Sequence, residues 1–481
     1  MSVTRPTYPA LELLIDGRWT RGSGSESIPV LDPSTGTAVG EVPLGVEKDF
    51  AAALDAADRS ASAWRRTSPV RRSDILRGAA AILRERADDL AGLITLELGK
   101  PLAEARAEAT VAAEHLEWAA EEGRRAYGRV IPGRDGTSLQ AARVEPLGVV
   151  AGFAPWNAPA ITPARKIGYV LAAGCTMVFK PSEETPASAL FIVRALEKAG
   201  LPAGVLNVVF GEPSAISTLW LADSRVKAVT FTGSTGVGRT LASLAAPSMK
   251  RLTLELGGHA PVVVTGDVDV AAVASSGARA AFRNSGQICT SPTRFYVDAS
   301  IHDEFADAFA TAVSALVVGD PFDELTQMGP VANESRIHVM DDLTQEARSH
   351  GVDVRAGGDR VDRAGSFWAP TVLVGVDDDR RIANVEPFGP MAALSPFHDL
   401  DEAVARANRL PWALASYVWT ESLSAATRLM DEIDAGSVVV NRWQASLPET
   451  PFGGFDDSGI GTEGGTEALR AFQRIKYTAQ G

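Results

Sequence analysis

Cysteine is scarce in this chain. Its 481 residues include two, Cys175 and Cys289, too few for a disulfide framework. Six histidines, His259 and His302 among them, show no ligand spacing, and no H-E-x-x-H, C-x-x-C or G-x-S-x-G string occurs. Zinc sites, dithiol redox centres and serine elbows are thereby disfavoured, and no metal is expected. Positive charge is also short: 46 Lys and Arg against 60 Asp and Glu leave a net charge of −14. That balance is the opposite of a nucleic-acid footprint and disfavours anionic lipid. The one uncharged stretch of membrane length, 147–164, contains Pro155, Pro159 and Pro163 and reads as a buried strand and loop. The opening MSVTRPTYPA lacks the apolar centre of a secretory signal, so a reducing cytoplasm is the expected location.

What is present is ordinary globular material, 45% apolar and 22% charged, in a chain long enough for two or three domains. Short apolar runs broken by Gly, Ser and Pro (Leu14–Trp19, Val30–Pro33) predict small strands at the start. From Val46 to about Tyr127 the pattern predicts three or four amphipathic helices, divided near Ser68-Pro69 and Gly99-Lys100-Pro101, with nothing catalytic among them. Residues 128–146, with Gly133-Arg134-Asp135-Gly136 between two short runs, predict a hairpin arm.

After Val149 strands and helices alternate: strands at 149–154, 176–180, 205–210 and 226–232, helices at 163–173 and 187–199. A second alternation runs from about Ala260 to Asn441. Each block predicts an α/β domain with a doubly wound parallel sheet, and the tail 468–479 is expected to pair with the arm or with another subunit.

Cys289 ends the stretch Phe282-Arg283-Asn284-Ser285-Gly286-Gln287-Ile288-Cys289, just beyond a glycine turn. A lone cysteine is ordinarily a small buried apolar residue; a thiolate here would be a nucleophile. Phe231-Thr232-Gly233-Ser234-Thr235-Gly236-Val237-Gly238 follows a strand and opens a helix, and its glycines let backbone N–H groups approach a pyrophosphate, unless this is only a tight turn. Lys180 and Glu183 end another strand, where ribose is commonly held. A carboxylate there would repel a 2′-phosphate, so NAD is favoured over NADP. Glu255, at an apolar strand end before Gly257-Gly258, is a candidate general base once burial raises its pKa. Asn157 offers a carboxamide to a developing oxyanion.

Taken in order, PWN (155–157), KPSE (180–183), FTGSTGVG (231–238), ELGG (255–258), GQIC (286–289), EPFGP (386–390) and PFGG (451–454) resemble the NAD(P)-dependent aldehyde dehydrogenase superfamily over nearly the whole chain. The resemblance implies an NAD-binding domain over 1–127 and 147–253, a catalytic domain over 254–441, and a small β oligomerisation arm over 128–146 and 466–481. It implies Cys289 as the nucleophile, an oxyanion held by Asn157 and the Cys289 N–H, and Glu255 as the base that activates water against a thioester. Lys166 and Glu463 would move protons around that base. Trp156, Lys180, Glu183, Gly233, Ser234, Gly238, Glu386 and Phe388 would contact the cofactor. Val385 and Pro387 flank Glu386 where the family often reads Glu-Glu-x-Phe-Gly-Pro, which bears on cofactor affinity.

Arg165 and Arg283 resemble the carboxylate-binding arginines of succinate-semialdehyde dehydrogenases, and Arg442 adds charge to a bulky loop, Asn441–Pro448. The expected substrate is a carboxylate-bearing semialdehyde such as succinate semialdehyde, oxidised by a homodimer or homotetramer. Aromatic or general aliphatic aldehydes, a CoA-acylating reaction and a non-catalytic scaffold are the alternatives.

Overall fold

A computed structural model describes residues 5–480. The helical segment resolves into Glu47–Arg66, Pro69–Glu85, Ala87–Leu98 and Leu102–Arg124. Two of the expected breaks are real: Ser68 caps one helix through its side chain, and Gly99 ends another in the left-handed conformation.

Among the described residues an eight-stranded sheet runs Arg18–Thr20, Leu13–Ile15, Leu206–Val208, Thr176–Lys180, Val149–Phe153, Val226–Thr232, Arg251–Glu255 and Gly459–Ile460. Its centre is parallel, and Val149–Phe153 and Thr176–Lys180 are buried at every position, as strands covered on both faces must be. Both edges carry antiparallel strands around the expected doubly wound parallel centre. The chain adds neighbours in one direction from Val149–Phe153 and in the other from Val226–Thr232. The crevice where ligands collect therefore opens between the carboxyl ends of these two strands, at Trp156-Asn157 and Gly233-Ser234.

The second sheet has seven strands, ordered Asp353–Ala356, Thr371–Val374, Met391–Phe397, Pro292–Asp298, Ala260–Val264, Ala415–Trp419 and Ser437–Val440, parallel except at its first pair. Residues 256–259 carry the chain directly from the end of Arg251–Glu255 in one sheet to the start of Ala260–Val264 in the other. Glu255 and Gly257-Gly258 consequently lie where the two sheets meet.

A three-stranded sheet forms the arm: Arg129–Pro132 pairs with Leu139–Pro146, which pairs antiparallel with Gln473–Gln480. The tail strand begins at Gln473, because Ala468, Leu469 and Phe472 before it are buried in the core of the first sheet. Val130, Leu139, Ile475 and Tyr477 leave large apolar side chains exposed on this arm. Among the described residues no helix is long and apolar enough to cross a membrane.

Candidate active site

The helix Val270–Phe282 stops abruptly, and the chain then takes two successive left-handed residues, Asn284 (φ 49°) and Ser285 (φ 54°). Such geometry costs roughly 1–3 kcal/mol per residue and persists only where surroundings impose it. Asn284 Nδ2 donates to the carbonyls of Asn157 (3.0 Å) and Gln287 (3.3 Å), and its N–H donates to Glu104 (2.9 Å). Ser285 Oγ donates to the carbonyls of Gly329 and Pro330, and Gln287 Oε1 accepts from the N–H of Ala332. The loop so pinned presents Cys289, half-buried. Asn157 Nδ2 donates to the Gln287 carbonyl at 2.9 Å, which leaves its second amide hydrogen free. A Cβ on Gly258 would stand 2.7 Å from the Cys289 carbonyl, so only glycine lets the two segments meet.

The helical layer, expected to hold nothing functional, positions this loop. Lys100 pairs with Glu108 in the interior and donates to the Asn157 carbonyl at 3.2 Å. Glu108 accepts from the N–H groups of Ala160 and Ile161, at the start of the helix Ile161–Ala173. Glu104, Glu108 and Lys100 had no motif to betray them. For Glu104 and Glu108 the one signal is a charged residue on a helical face with buried alanines; Lys100 lies in the turn before that helix.

Burial pushes the Cys289 thiol up to about 12, with Glu386 and Glu255 adding to the shift and Arg165 opposing it. At neutral pH the group is a thiol and needs a base. Glu255 is buried with neither carboxylate oxygen hydrogen-bonded among the described residues. Burial first, and the Glu463 charge second, hold its pKa well above the usual carboxylate range against the pull of Arg165 and Lys166. Burial works on Glu463 in the same direction, but Lys166 and Arg165 outweigh it and keep that carboxyl below its ordinary value. Lys166 Nζ lies 2.6 Å from Glu463 Oε1 and 3.0 Å from Thr230 Oγ1. Of two neighbouring carboxyls, Glu255, the one without a cation in contact, is therefore the more readily protonated.

Beside the thiol opens a cleft of about 340 Å³, walled by Trp156, Asn157, Gly233, Ser234, Glu386 and Phe388. Glu386 Oε1 accepts from the Gly258 N–H at 3.2 Å, and burial raises its pKa to about 8 against that N–H and Arg336. A Cβ on Gly257 would sit 2.7 Å from Glu386 Oε2, so glycine there keeps the carboxylate at the cleft floor. Phe388 meets Trp156 edge-on, with centroids 5.4 Å apart. Ser234 caps the helix Thr235–Ala245, and Gly238 in its first turn packs against Leu256. These features fit a dinucleotide: a helix N-terminus for the pyrophosphate, a carboxylate for ribose hydroxyls and a flat aromatic wall. Lys180 and Glu183 form an ion pair outside this wall, at the next strand end, with Glu183 accepting from the Gly211 N–H at 3.3 Å. Arg336, which also lines the cleft, was not anticipated.

The three arginines expected at the substrate separate. Arg165 is buried, its Nε 2.7 Å from Glu463 Oε2 and its guanidinium 4.7 Å from the Phe452 ring centroid, and its charge bears on both Glu255 and Cys289. Arg283 and Arg442 share a cavity with Ile288 and Thr290, and Arg283 also lines a second cavity with Asn157 and Ile161. His259 is structural, with its ring nitrogens against Thr293 Oγ1 and the Ile382 carbonyl.

The sequence model of the aldehyde dehydrogenase family matches residues 19–478. The 4-(hydroxymethyl)benzenesulfonate dehydrogenase of Comamonas testosteroni is 44% identical over 470 residues, 98% of both chains. The NADP(+) succinate-semialdehyde dehydrogenase of Escherichia coli is 39% identical, again over 98% of both. The crystal structure of a succinate-semialdehyde dehydrogenase from Burkholderia pseudomallei superposes with a TM-score of 0.95 at 39% identity, covering 98% of this chain and 97% of that one. Likeness at this level, running from one end of the chain to the other, extends to the fold as well as the sequence: the chain belongs to the aldehyde dehydrogenase family.

Proposed function

We propose that the protein oxidises an aldehyde carrying a distal negative charge to the carboxylic acid, with NAD in preference to NADP. The observation that carries this reading is Glu255, a buried carboxyl with unpartnered oxygens whose charge is felt by the Cys289 thiol. In its ionised form Glu255 takes the thiol proton, and the sulfur adds to the aldehyde carbon. The oxygen of the adduct accepts from Asn157 Nδ2 and the Cys289 N–H. NAD held in the cleft by Ser234, Glu386 and the Trp156–Phe388 wall would supply the hydride acceptor. Loss of hydride leaves a thioester on Cys289, and Glu255, once it has passed the thiol proton on, takes a proton from water, whose oxygen attacks the thioester carbon. The acid leaves and the thiol is restored. Lys166 and Glu463 provide an internal route for the proton that Glu255 collects.

The anionic substrate class is supported by the arginines near Cys289 and by the relatives whose names specify a sulfonate or a semialdehyde. Succinate semialdehyde is one such substrate, and an aryl aldehyde bearing an acid group is the other. Assays with succinate semialdehyde, 4-carboxybenzaldehyde, pentanal and benzaldehyde test the class: the charged members are expected to have the higher kcat/KM, and equal values for charged and neutral aldehydes would sink it. With CoA present the product is expected to remain the acid, because Glu255 activates water; accumulation of acyl-CoA would contradict the scheme.

The NAD preference rests on Glu183 beside Lys180. Glu183→Ser is expected to raise the NADP-to-NAD ratio of kcat/KM by about tenfold, since a like charge against the 2′-phosphate disappears and Lys180 is freed. An unchanged ratio in steady-state kinetics would refute this. Asn157→Ala is expected to lower kcat by roughly 10²–10³-fold, the usual loss for one oxyanion donor. The exposed apolar side chains of the arm support a homo-oligomer, which light scattering of the purified protein tests.

A further inference from the structure

Arg336 lines the same cleft as Cys289 and Glu386, and no motif in the sequence accounts for it. It stands in the first turn of the helix Glu334–Ser349, where the capping residue Asn333 accepts from the Arg336 N–H at 3.3 Å and from Ser335 Oγ at 2.7 Å. Helical spacing sets Arg336 one turn before Met340 on the same face. Met340 is buried, and a Cβ on Gly389 would collide with its sulfur, so that face is pressed against the segment carrying Glu386 and Phe388. Asn333 Nδ2 also donates to Glu184 Oε1 at 3.1 Å, in the loop that follows Thr176–Lys180 of the first sheet. The backbone that carries Arg336 is thereby fixed to loops of both sheets.

The guanidinium so placed is half-buried and unpaired. Among the described residues it has no carboxylate within ion-pairing distance and donates no side-chain hydrogen bond; burial lowers its pKa and the charge of Glu386 opposes that shift. The nearest carboxylate in sequence, Glu334, is engaged by Arg360 at 3.0 Å. Carboxylates are not scarce in a chain of net charge −14, and arginines such as Arg225, Arg355 and Arg428 each engage two of them. A cation held out of water without a partner is unfavourable, and an anion entering the cleft relieves it.

We propose that Arg336 is a cofactor-binding residue whose guanidinium receives the diphosphate of the dinucleotide. The inference rests on the reading of this cleft as the dinucleotide site and deepens it by adding a full charge to the donors at Ser234 and the start of Thr235–Ala245. A helix N-terminus offers only roughly half an elementary charge, whereas a diphosphate is ionised at both phosphates. A guanidinium supplies the missing charge together with a fork of donors that matches phosphate oxygens. Glu386 in the same cleft repels such an anion, and Arg336, whose charge bears on Glu386, offsets that repulsion.

Binding of NADH, followed by its fluorescence without any aldehyde present, tests the assignment. Arg336→Gln keeps a donor and loses the charge, and is expected to raise the NADH dissociation constant by about tenfold to thirtyfold. Arg336→Lys keeps the charge and is expected to stay within about threefold of the unaltered protein. Displacement of NADH by ADP-ribose, which retains the diphosphate, should weaken in Arg336→Gln by the same factor, while displacement by adenosine, which lacks it, should not change. In turnover the KM for NAD is expected to rise in Arg336→Gln and the KM for the aldehyde to stay as it is. Unchanged NADH affinity in Arg336→Gln would overturn the assignment. Equal weakening of ADP-ribose and adenosine, the pattern of a displaced helix, would overturn it as well, and so would tight binding in Arg336→Gln with loss in Arg336→Lys, the pattern of an uncharged partner. Failure of the unaltered protein to bind NADH would instead remove the dinucleotide reading of the cleft, and the assignment with it.

Discussion

Cys289→Ala is expected to lower aldehyde-dependent NADH formation by on the order of 10⁴-fold or more, the loss typical of removing a nucleophile on which every later step depends. Cys289 lines the cleft, and the other cysteine is buried, its sulfur against the Phe472 carbonyl. Because burial pushes the Cys289 thiol up to about 12, little thiolate exists at neutral pH without help. The expected profile therefore rises with pH as Glu255 loses its proton and becomes able to take the one from sulfur. Alkylation by iodoacetamide should follow the same rise and be abolished in the Ala variant. Retention of activity within tenfold of the unaltered enzyme would exclude the covalent route. Stability is a separate readout, since the pinning of the loop comes from Asn284, Ser285 and Gln287, so the variant should melt close to the unaltered protein.

Much of this was legible in the sequence, for identifiable reasons. Strands such as Thr176–Lys180 and Val226–Thr232 are where the apolar runs place them, because strands buried on both faces need unbroken hydrophobic sequence. Residues that act through backbone approach, such as Gly257 and Gly258, announce themselves because no other residue fits. The stretch between Val317 and Ser416 was opaque. Its strand Asp353–Ala356 alternates between exposed and half-buried positions, and Met391–Phe397 contains Pro396, which argues against a strand although Pro396 sits opposite Val297 in the ladder.

The site itself was legible unevenly. Cys289, Asn157, Glu386 and Phe388 converge on one cleft. The charges that hold them lie more than forty residues earlier, Lys100 in the turn 99–101 and Glu104 and Glu108 on the helix Leu102–Arg124, in a segment read as mere packing. Contacts between distant segments leave no local pattern, and a buried ion pair on a helix has the same composition as a solvated one. Arg165 shows the converse: its position in sequence suggests a substrate ligand, and its depth in the fold adds a contact with Glu463 that no local pattern announces. Arg165→Met should consequently alter the pH dependence of kcat more than KM for an anionic aldehyde, because it removes one of two cations that keep Glu463 charged.

Glu255→Gln is expected to separate the two halves of the reaction. Gln keeps the size of the side chain but cannot accept a proton, so kcat should fall by roughly 10²–10⁴-fold, the range for loss of a general base. Quenched-flow mixing at alkaline pH, where solvent hydroxide helps ionise Cys289, should still give a burst of about one NADH per active site, as expected when deacylation is the step lost. A variant with neither burst nor turnover would assign Glu255 to thiol activation alone, and full turnover would remove it from the mechanism. The stability consequence has the opposite sign. A carboxyl whose pKa is raised in the fold binds its proton more tightly folded than unfolded, so its contribution is complete below the unfolded pKa and declines as pH rises toward the folded one. Glu255→Gln lacks this penalty and should melt above the unaltered protein, by a margin that widens as pH increases from about 5 upward, measured by calorimetry across that range. An enzyme that becomes more stable as it loses deacylation is the outcome expected if the buried, unpartnered carboxyl is retained for its basicity rather than for the fold.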